Sequence, residues 1–288
     1  MSPADPLETA LDRAVQTLCE AGPPRLAAAV RHAVFPGGGR LRPRLVLAVG
    51  SACGAERDSP TQLAAAVAVE LFHCASLVHD DLPCFDDAST RRGQPTVHRL
   101  HGEATAVLAG DALIVGGFEV LGRAFAPHPA RLGPLVGVYA RALGASRGLI
   151  AGQAWESEPT VELEAYHRAK TGALFEAAAM AGALAAGADG EPFRALGALF
   201  GEAYQLLDDL GDALGSSEAL GKPTGRDEAL GRPNAVRARG VAEVRSRSQA
   251  LMSEAAATVP ACARREVLLR WLERTVHEVT ERATASPS

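Results

Sequence analysis

No two cysteines in the 288-residue chain are spaced for a metal knuckle or a disulfide framework. The five, Cys19, Cys53, Cys74, Cys84 and Cys262, are odd in number and scattered, with no Cys-x-x-Cys among them. Such usage suits a reducing compartment, and a cytoplasmic location is expected. A basic excess is missing as well. The formal net charge of −5 argues against a general nucleic-acid binder, which needs a cationic surface. The N-terminus lacks a basic stretch leading into an apolar one, so no secretory signal is expected. No charge-free apolar run reaches about 18 residues, so no membrane span is expected either. Also missing are a turn signal such as Asn-Gly between alternating runs, a repeat of fixed period, and a linker long enough to divide the chain. These absences point to one domain over residues 1–288, with 281–288 as a disordered tail.

What remains is helical in texture. Hydrophobic residues are 47% of the chain and charged ones 22%, a soluble globular balance with a sizeable core. Alanine-rich apolar stretches run over Leu63–Asp81, Ala104–Phe125, Pro134–Trp155, Glu162–Ala186, Glu191–Leu214 and Ala261–Thr284. Each is too long for a buried strand, and the breakers fall mostly between them. Pro23-Pro24, Phe35-Pro36-Gly37, Ser59-Pro60 and Pro127-His128-Pro129 read as helix junctions. The expected fold class is all-α.

Two acidic clusters stand out. The first, His79-Asp80-Asp81-Leu-Pro-Cys-Phe-Asp86-Asp87, closes a strongly apolar helix. A helix C-terminus is already negative, so carboxylates there need positive compensation. Pro83 stops the helix and leaves Asp86 on a turn able to fold back beside Asp80. Oxygen donors gathered without His or Cys suit Mg²⁺ rather than zinc. The plainer alternative is a solvated acidic loop. In the second cluster, Tyr204-Gln205-Leu-Leu-Asp208-Asp209-Leu-Gly-Asp212, Asp208 and Asp212 share a helical face with Gln205. Like charges at that spacing repel unless a cation bridges them. Two such clusters on separate helices would make an oxygen-lined mouth for metal ions and a diphosphate.

Basic and glycine-rich segments accompany them: Gly37-Gly38-Gly39-Arg40-Leu41-Arg42-Pro43, Arg91-Arg92-Gly93, Lys170-Thr171-Gly172, Gly221-Lys222-Pro-Thr-Gly225-Arg226-Asp227 and Gly231-Arg232-Pro233. Arginine pairs bidentately with phosphate, and glycine lets backbone amides approach it. Each is weak alone. Together with two acidic clusters they are not. Other residues have plainer readings: Trp155 and Trp271 as packing anchors, His98 and His101 as surface groups.

In this order GGGRLRP, ELFHCASLVHDDLPCFDDASTRRG, AGDALI, AKTGALF, YQLLDDLGD and GKPTGRD resemble the trans-isoprenyl diphosphate synthases over nearly the whole chain. FEVL, AGQAWESE and RPNAV further resemble the geranylgeranyl diphosphate synthases of carotenoid and bacteriochlorophyll pathways in purple bacteria. The resemblance implies a helical bundle around a central apolar cavity, and a homodimer. It also implies head-to-tail condensation of isopentenyl diphosphate with an allylic partner (dimethylallyl, geranyl or farnesyl diphosphate). By the same resemblance, magnesium would bridge the allylic diphosphate to Asp80, Asp86 and Asp208, with Asp81, Asp209 and Asp212 in support. Thr171 and Gln205 would face the allylic cation, and Lys170, Lys222 and Arg91 the departing diphosphate. Arg42, His73 and Arg92 would hold isopentenyl diphosphate, with Arg232 a further substrate-binding residue.

Gly39 departs from the family's pattern, which has lysine there. A missing ammonium removes a charge-assisted bond worth about 1.5–3 kcal/mol, for which Arg40 or Arg42 could compensate. Ala75 and Ser76, one turn before Asp80, are expected to set product length. In related farnesyl synthases an aromatic side chain fills the position of Ala75, so alanine implies a C20 product. A C15 product and a non-catalytic modulatory subunit remain as alternatives.

Overall fold

Proline opens four of the longer helices, where its missing N–H is no loss. These are α1 (Pro6–Leu18), α2 (Pro24–Val34), α4 (Pro60–Asp80) and α7 (Pro129–Leu143). Between them lie α3 (Leu41–Ala52), α5 (Val97–His101) and α6 (Glu103–Ala124). The computed structural model describes residues 5–35, 37–160, 162–214 and 235–284, without the side chains of 212, 214 and 282–284. Lys222, Arg232 and the GKPTGRD segment lie outside the described residues, as does the side chain of Asp212. After α7 come α8 (Leu149–Trp155), α9 (Leu163–His167), a π-helical turn (Arg168–Gly172), α10 (Ala173–Ala186) and a 3₁₀ turn (Glu191–Phe193). The chain then forms α11 (Arg194–Leu214), α12 (Ala235–Arg239), α13 (Val241–Ala257) and α14 (Arg265–Thr284). The all-α expectation holds.

Helix α10 is the hub, packed against α3, α4, α7 and α11. Its small residues, Ala177 to Ala179 and Ala181 to Ala183 among them, are buried and let neighbours approach closely. Helix α4 is nearly as apolar, and 78% of its most hydrophobic window is inside the protein. By length and composition α4 and α6 could each cross a membrane, although the sequence shows no uncharged run of that length. Burial explains α4 as a core helix. The same window of α6 is only 39% buried.

One charged group lies deep in α4. Glu70 is 1% exposed and takes a hydrogen bond of 2.5 Å from the Arg40 guanidinium, itself 4% exposed. Arg40 also bonds Glu8 and the Val34 carbonyl. A buried pair so fully hydrogen-bonded is strongly destabilising to break from one side, by about 3–5 kcal/mol. It fixes the glycine-rich loop onto α4.

Three local details differ from the sequence reading. A two-stranded ribbon is present, Thr90–Arg91 against Gln94–Pro95, turning through Arg92 (φ 52°) and Gly93 (φ 74°). Two successive positive φ angles match the right-handed strand twist, and Arg-Gly serves where Asn-Gly is commoner. The stretch Pro134–Trp155 is two helices, separated by a reversal at 144–148. Trp155 is 40% exposed and anchors no core, whereas His98 is 6% exposed rather than on the surface.

Candidate active site

Helix α4 delivers the first acidic cluster and stops at Asp80, with Asp81 as its C-cap. Beyond Pro83 the chain folds back, and the Asp86 amide donates to the Asp80 carbonyl at 3.0 Å. Asp86 thus returns beside Asp80 as its spacing suggests. A third carboxylate joins them: ligand oxygens of Asp80, Asp86 and Glu156 all lie within 4.8 Å of one another. Glu156, the C-cap of α8, is not among the site residues that the sequence suggests. Its signal was the acidic end of AGQAWESE, which periodicity alone does not mark. The donor set is all oxygen and suits a hard divalent cation such as Mg²⁺.

The positive compensation demanded at the end of α4 comes from two side chains. Arg91 donates from Nη2 at 2.6 Å and from Nε at 3.1 Å to Asp81, and stands 3.8 Å from Asp80. Lys170 Nζ lies 2.5 Å from Glu156 and 3.3 Å from Asp80. Burial pushes the Asp81 carboxyl up, and the Arg91 contact opposes that shift.

Lys170 and Thr171 occupy the π-helical turn, an irregularity frequent at functional sites. Helix α8 crosses it so closely that a Cβ on Gly152 would lie 2.4 Å from the Lys170 Cα. No residue but glycine fits there without a backbone shift. The Thr171 hydroxyl donates to Gln205 Oε1, and Gln205 Nε2 donates to Asp209 at 2.7 Å.

The paired aspartates of α11 part company. Asp209 is 3% exposed and accepts the Ala235 amide at 2.8 Å, holding the start of α12. Asp208, a residue earlier and about 100° around the helix, is part-buried and close enough to Arg42 to favour its charged form. Asp208 stands outside the Asp80–Asp86–Glu156 cluster, whereas the position of Asp209 suits structure.

A cationic corner lies near these groups. The Arg92 guanidinium donates to the Gly37 carbonyl. Arg42 is 8% exposed, with its guanidinium carbon 4.3 Å from the Phe175 ring centroid and 6.0 Å from that of Tyr204. His73 is part-buried, and burial together with Arg42, Arg92 and Arg91 drives its pKa well down, so the imidazole is neutral at pH 7. Arg40, committed to Glu8 and Glu70, cannot also replace the lysine absent at Gly39. Gly39 is exposed and lines a cavity of about 470 Å³ with Gly38, Arg44, Trp271 and Arg274. Ala75 is 1% exposed on the inner face of α4, and Ser76 donates to the His73 carbonyl at 2.8 Å.

The chain resembles known proteins along nearly its whole length. It is 52% identical to the geranylgeranyl diphosphate synthase of Cereibacter sphaeroides, with 92% of this chain and 91% of that one covered. It is 48% identical to the corresponding protein of Rhodobacter capsulatus, covering 96% and 95%. Among solved structures, a geranyltransferase of Helicobacter pylori complexed with magnesium and isoprenyl diphosphate superposes with a TM-score of 0.78 at 29% identity, covering 96% of this chain and all of that one. The polyprenyl synthetase model matches residues 23–265, and the chain belongs to that family of prenyl-transferring enzymes.

Proposed function

We propose that the protein is a magnesium-dependent prenyltransferase that condenses isopentenyl diphosphate head-to-tail with allylic diphosphates and releases mainly geranylgeranyl diphosphate. The observation that carries this reading is the joining of two walls by the ribbon of Arg91 and Arg92. One gathers Asp80, Asp86 and Glu156 beside Lys170 and Arg91. The other brings Arg42 and Arg92 around a neutral His73. One wall suits a metal-held diphosphate and the other a free one. The identity to two geranylgeranyl diphosphate synthases supports the C20 product and a role in carotenoid-type isoprenoid synthesis.

Magnesium, held by Asp80, Asp86 and Asp208, would supply electrostatic stabilisation of the leaving diphosphate. Lys170 and Arg91 add fixed positive charge at its edge. The allylic C–O bond breaks, and the cation left behind faces the oxygens of Thr171 and Gln205. Isopentenyl diphosphate, anchored by Arg42 and Arg92, presents its double bond to that cation. A new C–C bond forms, and the departed diphosphate takes the proton then lost. Lys222 and Arg232, outside the described residues, and Asp212, whose side chain is not described, complete the proposed set.

The outer face of α6 supports a homodimer. Val107, Leu108 and Val115 are 42%, 56% and 65% exposed along one stripe, with Asp111 among them. A carboxylate in mid-stripe suits a second copy of the chain better than lipid. Together with the cysteine usage this favours a cytoplasmic enzyme. Purified protein given labelled isopentenyl diphosphate, farnesyl diphosphate and Mg²⁺ should yield a C20 diphosphate and elute at twice the monomer mass. No chain extension with any allylic partner would leave the modulatory-subunit alternative standing.

A further inference from the structure

Glu156 has more donors than a simple metal ligand needs. Its Oε1 receives both the Lys170 ammonium, at 2.5 Å, and the Tyr166 hydroxyl. Its Oε2 receives Gln153 Nε2 at 3.0 Å. Tyr166 also presents its ring 5.9 Å from the same ammonium. Three groups from α8, its C-cap and α9, namely Gln153, Glu156 and Tyr166, thus fix the Lys170 ammonium at one place. That place is the acidic cluster, 3.3 Å from Asp80. The side chains of Lys170, Glu156 and Asp80 are 22%, 12% and 14% exposed, so their charges are only partly screened.

We propose that Glu156 is a positioning residue which holds Lys170 as a built-in counter-cation of the Asp80–Asp86 cluster, so that magnesium and a diphosphate bind in concert. The inference rests on the prenyltransferase reading and deepens it. A divalent cation arriving alone must compete with the ammonium for Asp80. A diphosphate arriving alone must draw the ammonium away from Glu156. When both arrive, the metal takes over the carboxylates while Lys170 turns to the phosphate, and each relieves the other's penalty. That is a coupling free energy between two ligands, and by linkage it is the same in both directions. It guards against two futile states, a metal without substrate and a substrate without metal.

Calorimetric titration of the full chain tests the idea, with Mg²⁺ alone, inorganic pyrophosphate alone, and each in the presence of the other. In the unmodified protein, each probe should bind much more tightly when the other is present. Lys170→Met should bind Mg²⁺ alone about tenfold more tightly, equivalent to ~1.4 kcal/mol, and should lose most of the coupling. Glu156→Gln should bind pyrophosphate alone several-fold more tightly, because the ammonium is released. That gain should vanish in the double variant, whereas Glu156→Asp should restore part of the coupling. A scaffold role for Glu156 predicts none of these opposite movements. Unchanged or weaker Mg²⁺ binding in Lys170→Met, or unchanged pyrophosphate binding in Glu156→Gln, overturns the proposal. Lys170→Gln takes the place of Lys170→Met, and Glu156→Ala that of Glu156→Gln, if circular dichroism shows lost helix; the same binding criteria then decide. Failure of the unmodified chain to bind Mg²⁺ and pyrophosphate together would instead count against the prenyltransferase reading itself.

Discussion

Arg92 rests on the backbone of Gly38: a Cβ at Gly38 would stand 2.5 Å from the guanidinium carbon. The ribbon that carries Arg92 is only two residues a side, and its turn sends Arg91 to the acidic wall and Arg92 to the glycine-rich loop. One small hairpin thereby ties the two walls of the site together. Gly38 also has φ 143°, where an L side chain is strained. Gly38→Ala should cost about 1–3 kcal/mol of stability and displace Arg92. Its KM for isopentenyl diphosphate should rise several-fold while that for the allylic partner stays put. Equal changes in both constants would mean that Arg92 does not belong to the isopentenyl side.

Gly39 differs from its neighbours. It is exposed and is not among the glycines with positive φ, so a lysine would meet no backbone strain there. Arg40, the cation next to it in the chain, is locked to Glu8 and Glu70 and does not cover for the missing one. Gly39→Lys should therefore lower the KM for isopentenyl diphosphate by about tenfold, the scale of one charge-assisted hydrogen bond. Steady-state kinetics with each substrate varied in turn is the check. A fall confined to the allylic constant would relocate the loop to the other wall.

Adjacent aspartates on α11 should behave oppositely. Asp80→Ala and Asp208→Ala should each lower turnover by orders of magnitude with helical content and melting temperature unchanged. Asp209→Ala instead strips the Ala235 amide and Gln205 of a buried acceptor, which costs about 1–3 kcal/mol. Its melting temperature should drop, and its turnover at low temperature should suffer less than that of Asp208→Ala. Matching turnover losses in the two, with no stability difference, would show both carboxylates at the metal.

The long helices and both acidic clusters were legible because their signals are local. Alanine-rich runs bounded by proline read directly as helices, and Pro83 announces the turn that returns Asp86 to Asp80. What the sequence hid was set by partners distant in the chain. Glu156 becomes part of the site only because Gly152 lets α8 lie against the π turn. The division between Asp208 and Asp209 depends on which flank of α11 meets α12. Arg40 reads as a free cation until Glu70, thirty residues on, is seen buried against it. Trp155 reads as an anchor by its type, yet it sits on the short α8 beside the mouth, 40% exposed.

Product length should turn on a column of residues below Asp80. Ala75 lies on the inner face of α4, and Phe72 sits a further turn down, about 12 Å along the axis from Asp80. Phe72 is fully buried and meets Phe118 and Tyr139 at ring-centroid distances of 4.9 and 5.3 Å. Tyr139 is itself pinned by a hydrogen bond of 2.7 Å from its hydroxyl to the Ala65 carbonyl. If the prenyl tail runs down this column, the aromatic cluster would form its floor, and alanine above it would leave room for the last isoprene unit. Ala75→Tyr places a ring a turn higher, so the main product should shift from C20 to C15 with the earlier condensation intact. Phe118→Ala removes a ring from the floor that is only part-buried, and so perturbs the core less than Phe72→Ala. It should add chains longer than C20. Products labelled with radioactive isopentenyl diphosphate and separated by chain length decide both cases. C20 output unchanged in a folded, active Ala75→Tyr would move the floor away from this column. A parent enzyme that already stops at C15 would overturn the product assignment and leave the condensation chemistry standing.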